Sequence, residues 1–265
     1  MAETVAPAVN KPVWIEKPVW IDLSSSDPAA SREFYAKLFG WVVEVSPDPQ
    51  YGGYAQAKIG GKDVAGIGPK MMPEAPTAWS VYVGTRDIAD LTRRVQAAGG
   101  TVVAPPMQVG EQGTMAVFQD PSGAFISAWQ PAMMEGGLMT GTPGTFGWAE
   151  LNSRGLEKAL AFYRAAFGWE ARAGSMGEGG PPYFEFHAGN ERIAGGMEMN
   201  PMAPAQVPSY WMVYFAVEDV DASFRKAIEA GAHEMLAPQD FSGGRFAILG
   251  DPQGATFGLL KMAAR

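Results

Sequence analysis

Apolar and polar positions alternate along 18–24 (PVWIDLS), as they do in a strand with one buried face. Asp27-Pro28 follows as an N-cap and first helical residue, and Phe34, Tyr35 and Leu38 recur at helical spacing. Short alternating runs near 42–46, 54–59 and 62–68 predict three further strands. The same order then restarts, with a strand at 79–83 and a helix at 87–98 closed by Gly99-Gly100. Strands near 101–104, 114–119 and 124–129 complete it. Each such stretch is a βαβββ unit. In the DPSG and DPQG segments Asp, Pro and Gly occupy positions one, two and four of a type I turn, so these residues read as hairpin chemistry rather than catalysis.

The whole pattern occurs twice. Trp20, Phe34-Tyr35 and Phe39-Gly40-Trp41 recur as Trp148, Phe162-Tyr163 and Phe167-Gly168-Trp169, each 128 positions on. WSVYVGTRDIADLTRRVQAAGG (79–100) matches WMVYFAVEDVDASFRKAIEAGA (211–232), and MAVFQDPSGAFIS (115–127) matches FAILGDPQGATFG (246–258). The chain therefore reads as a tandem duplication of about 130 residues. This also sorts the near-repeat KPVWIEKPVWID at 11–22. Trp20 keeps the spacing to Phe34-Tyr35 that Trp148 keeps to Phe162-Tyr163, so the second copy is the strand and the first belongs to an N-terminal arm. The expected organisation is an arm at 1–16, a first domain at 17–131, a linker at 132–144 and a second domain at 145–265.

Composition narrows the chemistry. The 265 residues are 47% hydrophobic and 18% charged, enough for a substantial core, and 33 glycines with 21 prolines suit many turns. A net charge of −8 argues against nucleic acid as a partner. With no cysteine there is no thiol catalysis, disulfide or zinc–thiolate site. The opening MAETVAPAVNKP has neither the basic start nor the apolar run of a signal peptide, and no stretch approaches the ~20 apolar residues that span a bilayer. A cytoplasmic protein without a membrane partner is the expectation.

A strand, then D-x-x-x-(S/A)-x-x-F-Y-x-x-x-F-G-W, a second strand–helix unit ending A-A-G-G, and a DP-x-G hairpin together resemble the vicinal oxygen chelate superfamily. That family includes glyoxalase I, bleomycin and fosfomycin resistance proteins and extradiol dioxygenases. The resemblance runs from about residue 17 to 262 and looks closest to tandem two-domain glyoxalase-like proteins of the actinobacterial type. It implies an α+β fold of four βαβββ units, forming two domains whose curved mixed sheets each wrap a cleft. Metal-dependent relatives place His, Gln or Glu at four ligand positions per domain. Here the matching positions are Trp20, Gly66, Ser80 and Ser127, then Trp148, Gly195, Met212 and Gly258. None is an imidazole or a carboxylate, and a lone serine hydroxyl does not anchor a hard divalent ion. The chain's two histidines, His187 and His233, fall elsewhere. The expectation is no metal and no other cofactor.

Residues in phase with those positions are expected to face the clefts. In the first domain they are Trp20, Asp22, Ser80, Tyr82, Ser127 and Trp129, with Tyr54 and Gln56 as further candidates. The second offers Trp148, Glu150, Met212, Tyr214, Gly258 and Leu260, with Tyr183, Glu185 and His187 beside them. Trp20 and Trp148 either fill the vacated metal pocket or serve as stacking platforms for a planar ligand. Asp22 and Glu150 are carboxylates among apolar neighbours, so each is either held by hydrogen bonds or poised as a general acid or base. The Met-rich loops 70–76 and 197–208 suit a contact between domains, or an adaptable surface closing over a ligand.

Three functions fit these residues. One is a metal-independent protein that binds a small hydrophobic or aromatic molecule in an aromatic-lined cleft. Another is a metal-free enzyme of lyase, isomerase or hydrolase type, working on a carbonyl or natural-product substrate with Asp22 or Glu150 as acid or base. The third is a structural or regulatory protein with filled clefts. In each the chain is a pseudo-dimer in itself and can act as a monomer.

Overall fold

The computed structural model describes residues 16–134 and 136–263. The expected arm falls almost wholly outside the described residues. Its last residue, Glu16, donates its backbone N–H to Gly84.

In the first half the elements run β1 (Pro18–Ser25), α1 (Pro28–Phe39), β2 (Val42–Val45), β3 (Ala55–Ile59), β4 (Lys62–Pro69), β5 (Ala78–Gly84), α2 (Ile88–Ala97), β6 (Thr101–Val109), β7 (Gly113–Gln119) and β8 (Phe125–Pro131). The second half repeats them as β9 (Phe146–Ser153), α3 (Leu156–Phe167), β10 (Glu170–Ala173), β11 (Tyr183–Ala188), β12 (Glu191–Glu198), β13 (Tyr210–Ala216), α4 (Val220–Glu229), β14 (His233–Phe241), β15 (Gly244–Gly250) and β16 (Thr256–Met262). Each half makes its own eight-stranded mixed sheet, in the orders β2-β3-β4-β1-β5-β8-β7-β6 and β10-β11-β12-β9-β13-β16-β15-β14. Two consecutive βαβββ units thus meet antiparallel at their opening strands, β1 on β5 and β9 on β13.

Local chemistry sets the element ends. Asp27 caps α1 by accepting from the Ala30 N–H, Pro28 takes the first helical turn, and Gly40 closes the helix in the left-handed region at φ 74°. Helix α3 begins at Gly155 with no capping side chain of its own. Glu198, from β12, accepts from the Gly155 and Leu156 N–H groups instead, at 2.9 and 2.8 Å.

Strand alternation divides the molecule into one core and two cups. Ile21 and Leu23 point back into the core with Phe34, Tyr35 and Leu38, while Trp20 packs on the opposite face with Tyr82 and Trp129. Trp41, Trp169, Trp79 and Trp211 all belong to the core. That core is continuous across both halves. Phe215 of β13 lies 5.1 Å from Trp79 and 4.8 Å from Phe39, ring centre to ring centre.

The halves are also latched reciprocally. The Tyr35 hydroxyl donates to Asp251 in the second hairpin, and the Tyr163 hydroxyl to Asp120 in the first, both at 3.0 Å. Trp41 donates to the Gly144 carbonyl just before β9, as Trp169 does to the Glu16 carbonyl just before β1. Lys226 and Arg94 reach the last carbonyls of α1 and α3, where the helix dipole favours a cation. The DP-x-G aspartates do the turn work expected of them, since Asp120 accepts from Ser122 and Ala124 and Asp251 from Gln253 and Ala255. Their second oxygens add the latch. In the methionine loops the side chains mostly face solvent. Met71, Met72 and Met202 stand exposed, and Met199 alone of this group is buried. Among the described residues no helix is long and apolar enough to cross a membrane.

Candidate functional site

The first cup is packed with its own side chains. Trp20, Tyr82, Met115 and Trp129 form one cluster on the concave face, each less than a tenth exposed, with Ser127 buried beside them. The Trp20 indole N–H donates to Asp22 Oδ1 at 2.7 Å, and the Tyr54 hydroxyl donates to the same oxygen at 2.6 Å. Burial pushes the Asp22 carboxyl up, and hydrogen bonds from Tyr54, Trp20 and Tyr82 oppose this. Ser80 pairs with Asp22 across β1 and β5, and Gln56 of β3 pairs with Gly66. The linker lies along this cup: Trp129 donates to the Met134 carbonyl at 3.0 Å, and the Gly137 N–H to the Val19 carbonyl at 2.9 Å.

The second cup keeps a cavity of about 430 Å³. Its lining combines the apolar side chains Trp148, Met176, Phe241, Phe246 and Leu260 with the polar Glu150, Tyr183, Glu185, Arg192 and Tyr214. The Trp148 N–H donates to the Tyr183 hydroxyl at 2.9 Å, and the Tyr214 hydroxyl to Glu150 Oε1 at 3.1 Å. Glu150 is buried, which pushes its carboxyl up, with hydrogen bonds from Tyr214, Tyr183 and Asn152 opposing. Burial, reinforced by the nearby Glu150 charge, pushes both tyrosine hydroxyls up, so they stay protonated donors. Met212 is buried beneath Tyr214, Phe246 and Leu260. His187 sits 3.7 Å from Glu185, with its Nδ1 buried and unpartnered among the described residues.

One exchange at matching positions makes room in the second cup: Trp129, packed in the first, corresponds there to the smaller Leu260, while Met115 corresponds to the bulkier Phe246. Trp148 is only partly buried, whereas its counterpart Trp20 is 4% exposed. Arg192 is absent from the residues that alternation singles out. Its guanidinium lies 5.2 Å from the Trp148 ring centre and pairs with Glu185 at 2.7 Å. Strict alternation from Gly195 would turn Arg192 toward the core. A bulge shifts the register, because one step from Phe186 to His187 on β11 spans two on β12, from Ala194 to Arg192. That offset carries Arg192 to the cup face. The arginine directly before the apolar IAGG run was the available signal.

The residues present do not fit the divalent ion of metal-dependent relatives. Three of the eight ligand-matching positions are glycines, and the space their side chains would need is taken. A Cβ on Gly66 would lie 1.9 Å from both Asp22 Oδ1 and the Tyr54 hydroxyl, on Gly195 1.8 Å from the Tyr183 hydroxyl, and on Gly258 2.0 Å from the Tyr214 ring. Among the described residues no three His, Cys, Asp or Glu side chains converge.

Comparison with known proteins agrees with this architecture. The model of the Glyoxalase/Bleomycin resistance protein/Dioxygenase superfamily matches residues 17–127 and again 145–259. The anthracycline biosynthesis protein DnrV of Streptomyces peucetius is 40% identical over 270 residues, covering 96% of this chain and 94% of that protein. The putative glyoxylase CFP32 of Mycobacterium tuberculosis is 39% identical over 249 residues, covering 92% and 94%. Among solved structures, the Mn(II)-bound glyoxalase from Novosphingobium aromaticivorans superposes with a TM-score of 0.62 at 17% identity, over 92% of this chain and 81% of that one. The 2,2',3-trihydroxybiphenyl 1,2-dioxygenase of Sphingomonas wittichii gives 0.63 at 13%, over 94% and 92%. At those identities the likeness concerns the fold alone. With its double match, its relatives aligned nearly end to end and its paired βαβββ sheets, this chain belongs to the glyoxalase/bleomycin resistance/dioxygenase superfamily.

Proposed function

We propose that the chain binds a planar aromatic molecule bearing hydroxyl or keto groups, in the second cup and without a metal. The observation that carries this reading is the mixed wall of the 430 Å³ cavity, which combines aromatic and thioether side chains with carboxyl, phenol and guanidinium groups. Such a wall buries a flat ring and satisfies polar groups at its edge. The volume lies within the ordinary range for small-molecule sites, roughly 300–1,000 Å³. The DnrV relative is named for anthracycline biosynthesis, and an anthracycline is built on a flat hydroxylated anthraquinone. A dihydroxyanthraquinone is therefore the first probe.

Titrating 1,8-dihydroxyanthraquinone into the protein in the presence of a chelator should quench tryptophan fluorescence saturably. Trp148→Ala should weaken binding by about tenfold or more, since it removes both ring area and stacking. Saturable binding that needs added metal, or that survives Trp148→Ala unchanged, would overturn the reading.

A further inference from the structure

Glu150 of β9, Tyr214 of the adjacent β13 and Tyr183 of β11, two strands away across β12, line one cavity together. The Trp148 indole N–H occupies a lone pair of the Tyr183 oxygen, leaving that hydroxyl's own proton for Glu150 or for a ligand oxygen. The Tyr214 hydroxyl pins Glu150 through Oε1. A carboxylate, a fixed phenol donor and an apolar wall thus share one small space. They are the parts needed to take a proton from carbon while a neighbouring oxygen gathers charge.

We propose that the second cup enolises a ring ketone, with Glu150 as the base and Tyr183 as the donor to the developing enolate. This rests on the binding reading above and adds a reaction to it. Glu150 takes the proton from the carbon beside the carbonyl. The C–H electron pair becomes the C=C bond of the enolate, and the carbonyl π pair moves onto oxygen, where the Tyr183 hydroxyl donates its hydrogen bond. Returning the proton from Glu150 to the same carbon restores the ketone, and returning it to a conjugated carbon gives the isomer. Nothing is oxidised or reduced, and no co-reactant is consumed. Burial keeps the Glu150 carboxyl above the usual carboxylate range, closer to the pH at which a base of this kind works best.

The test uses 2-tetralone, whose C1 hydrogens are flanked by an aromatic ring and a carbonyl. Proton NMR in D2O follows loss of the C1 signal, while fluorescence quenching follows binding of the same compound. The protein should accelerate exchange over buffer. Glu150→Gln should lower the enzymatic rate by about 100-fold or more, and Tyr183→Phe by about 10- to 100-fold, with affinity changed only a few-fold. The wild-type rate should rise with pH through a midpoint above the ordinary carboxylate range. Binding without exchange above buffer, or exchange unaffected by Glu150→Gln, would overturn the proton-transfer role and leave the binding reading intact. Failure of 2-tetralone to bind at all would remove the ketone-binding site on which the role depends. A dihydroxyanthraquinone that still binds would then confine that failure to this inference.

Discussion

At the scale of single residues, the cups are shaped as much by missing side chains as by present ones. Gly195 lies under Tyr183, and Gly195→Ala must displace that ring and crowds the Trp148 indole as well. A misfit of this kind costs about 1–3 kcal/mol, which urea denaturation would measure, and it should weaken ligand binding as well. A variant as stable and as competent as the parent would show that the Tyr183–Trp148 pair has slack. Glu150 brings a pH dependence whose sign follows from burial. Its folded carboxyl binds a proton more tightly than the unfolded one, so its stabilising contribution is full below the unfolded pKa. That contribution is lost as pH rises through the folded value. Glu150→Gln does not titrate and should be more stable than the parent above that window, the gap closing on acidification. Denaturant midpoints measured across pH check this, and a gap independent of pH would contradict it.

At the scale of elements, the repeat made most of the fold legible. Helix and strand starts follow from Asp27-Pro28, from alternation and from the DP-x-G turns, and the observed elements begin within a residue or two of those positions. What stayed hidden depends on contacts between distant segments. Glu198 caps α3 from another strand, and no local pattern near Gly155 announces it. The bulge that brings Arg192 into the cup breaks the period-2 rule on which face assignments rest. The exchange of Trp129 for Leu260 between the two cups is legible in sequence, but its consequence is not. The packing of Trp129, Met115 and the linker, which distinguishes them, depends on tertiary placement. The hairpin aspartates combine both kinds of information, legible as turns and illegible as latches. Tyr35→Phe should therefore cost about 2–3 kcal/mol, since it removes the bond to Asp251 and leaves the buried Trp79 N–H without its acceptor. Asp251→Ala should cost roughly 3 kcal/mol, because the Gln253 and Ala255 N–H groups lose their acceptor as well. Chemical denaturation checks both, and a Tyr35→Phe variant as stable as the parent would mean that the latch contributes nothing.

At the scale of the molecule, two sheets share one core while their cups stand apart as separate clusters. A shared core implies cooperative unfolding of both halves. Phe215 belongs to the second sheet but packs among Tyr35, Phe39, Trp41 and Trp79 of the first half. Phe215→Ala should cost about 3–5 kcal/mol and lower a single calorimetric transition, without splitting it in two. The cups divide their roles differently. The first holds its aspartate in a closed web of Trp20 and Tyr54, and the second sets the equivalent glutamate beside a cavity. In a duplicated chain, one half thus keeps a cavity of about 430 Å³ while the matching side chains of the other pack together. Stoichiometry tests that division most directly. Calorimetric titration of chelator-dialysed protein with 1,8-dihydroxyanthraquinone should give one site per chain, lost on Trp148→Ala. Two equivalent sites, or one site that appears only after a divalent metal is restored, would contradict it.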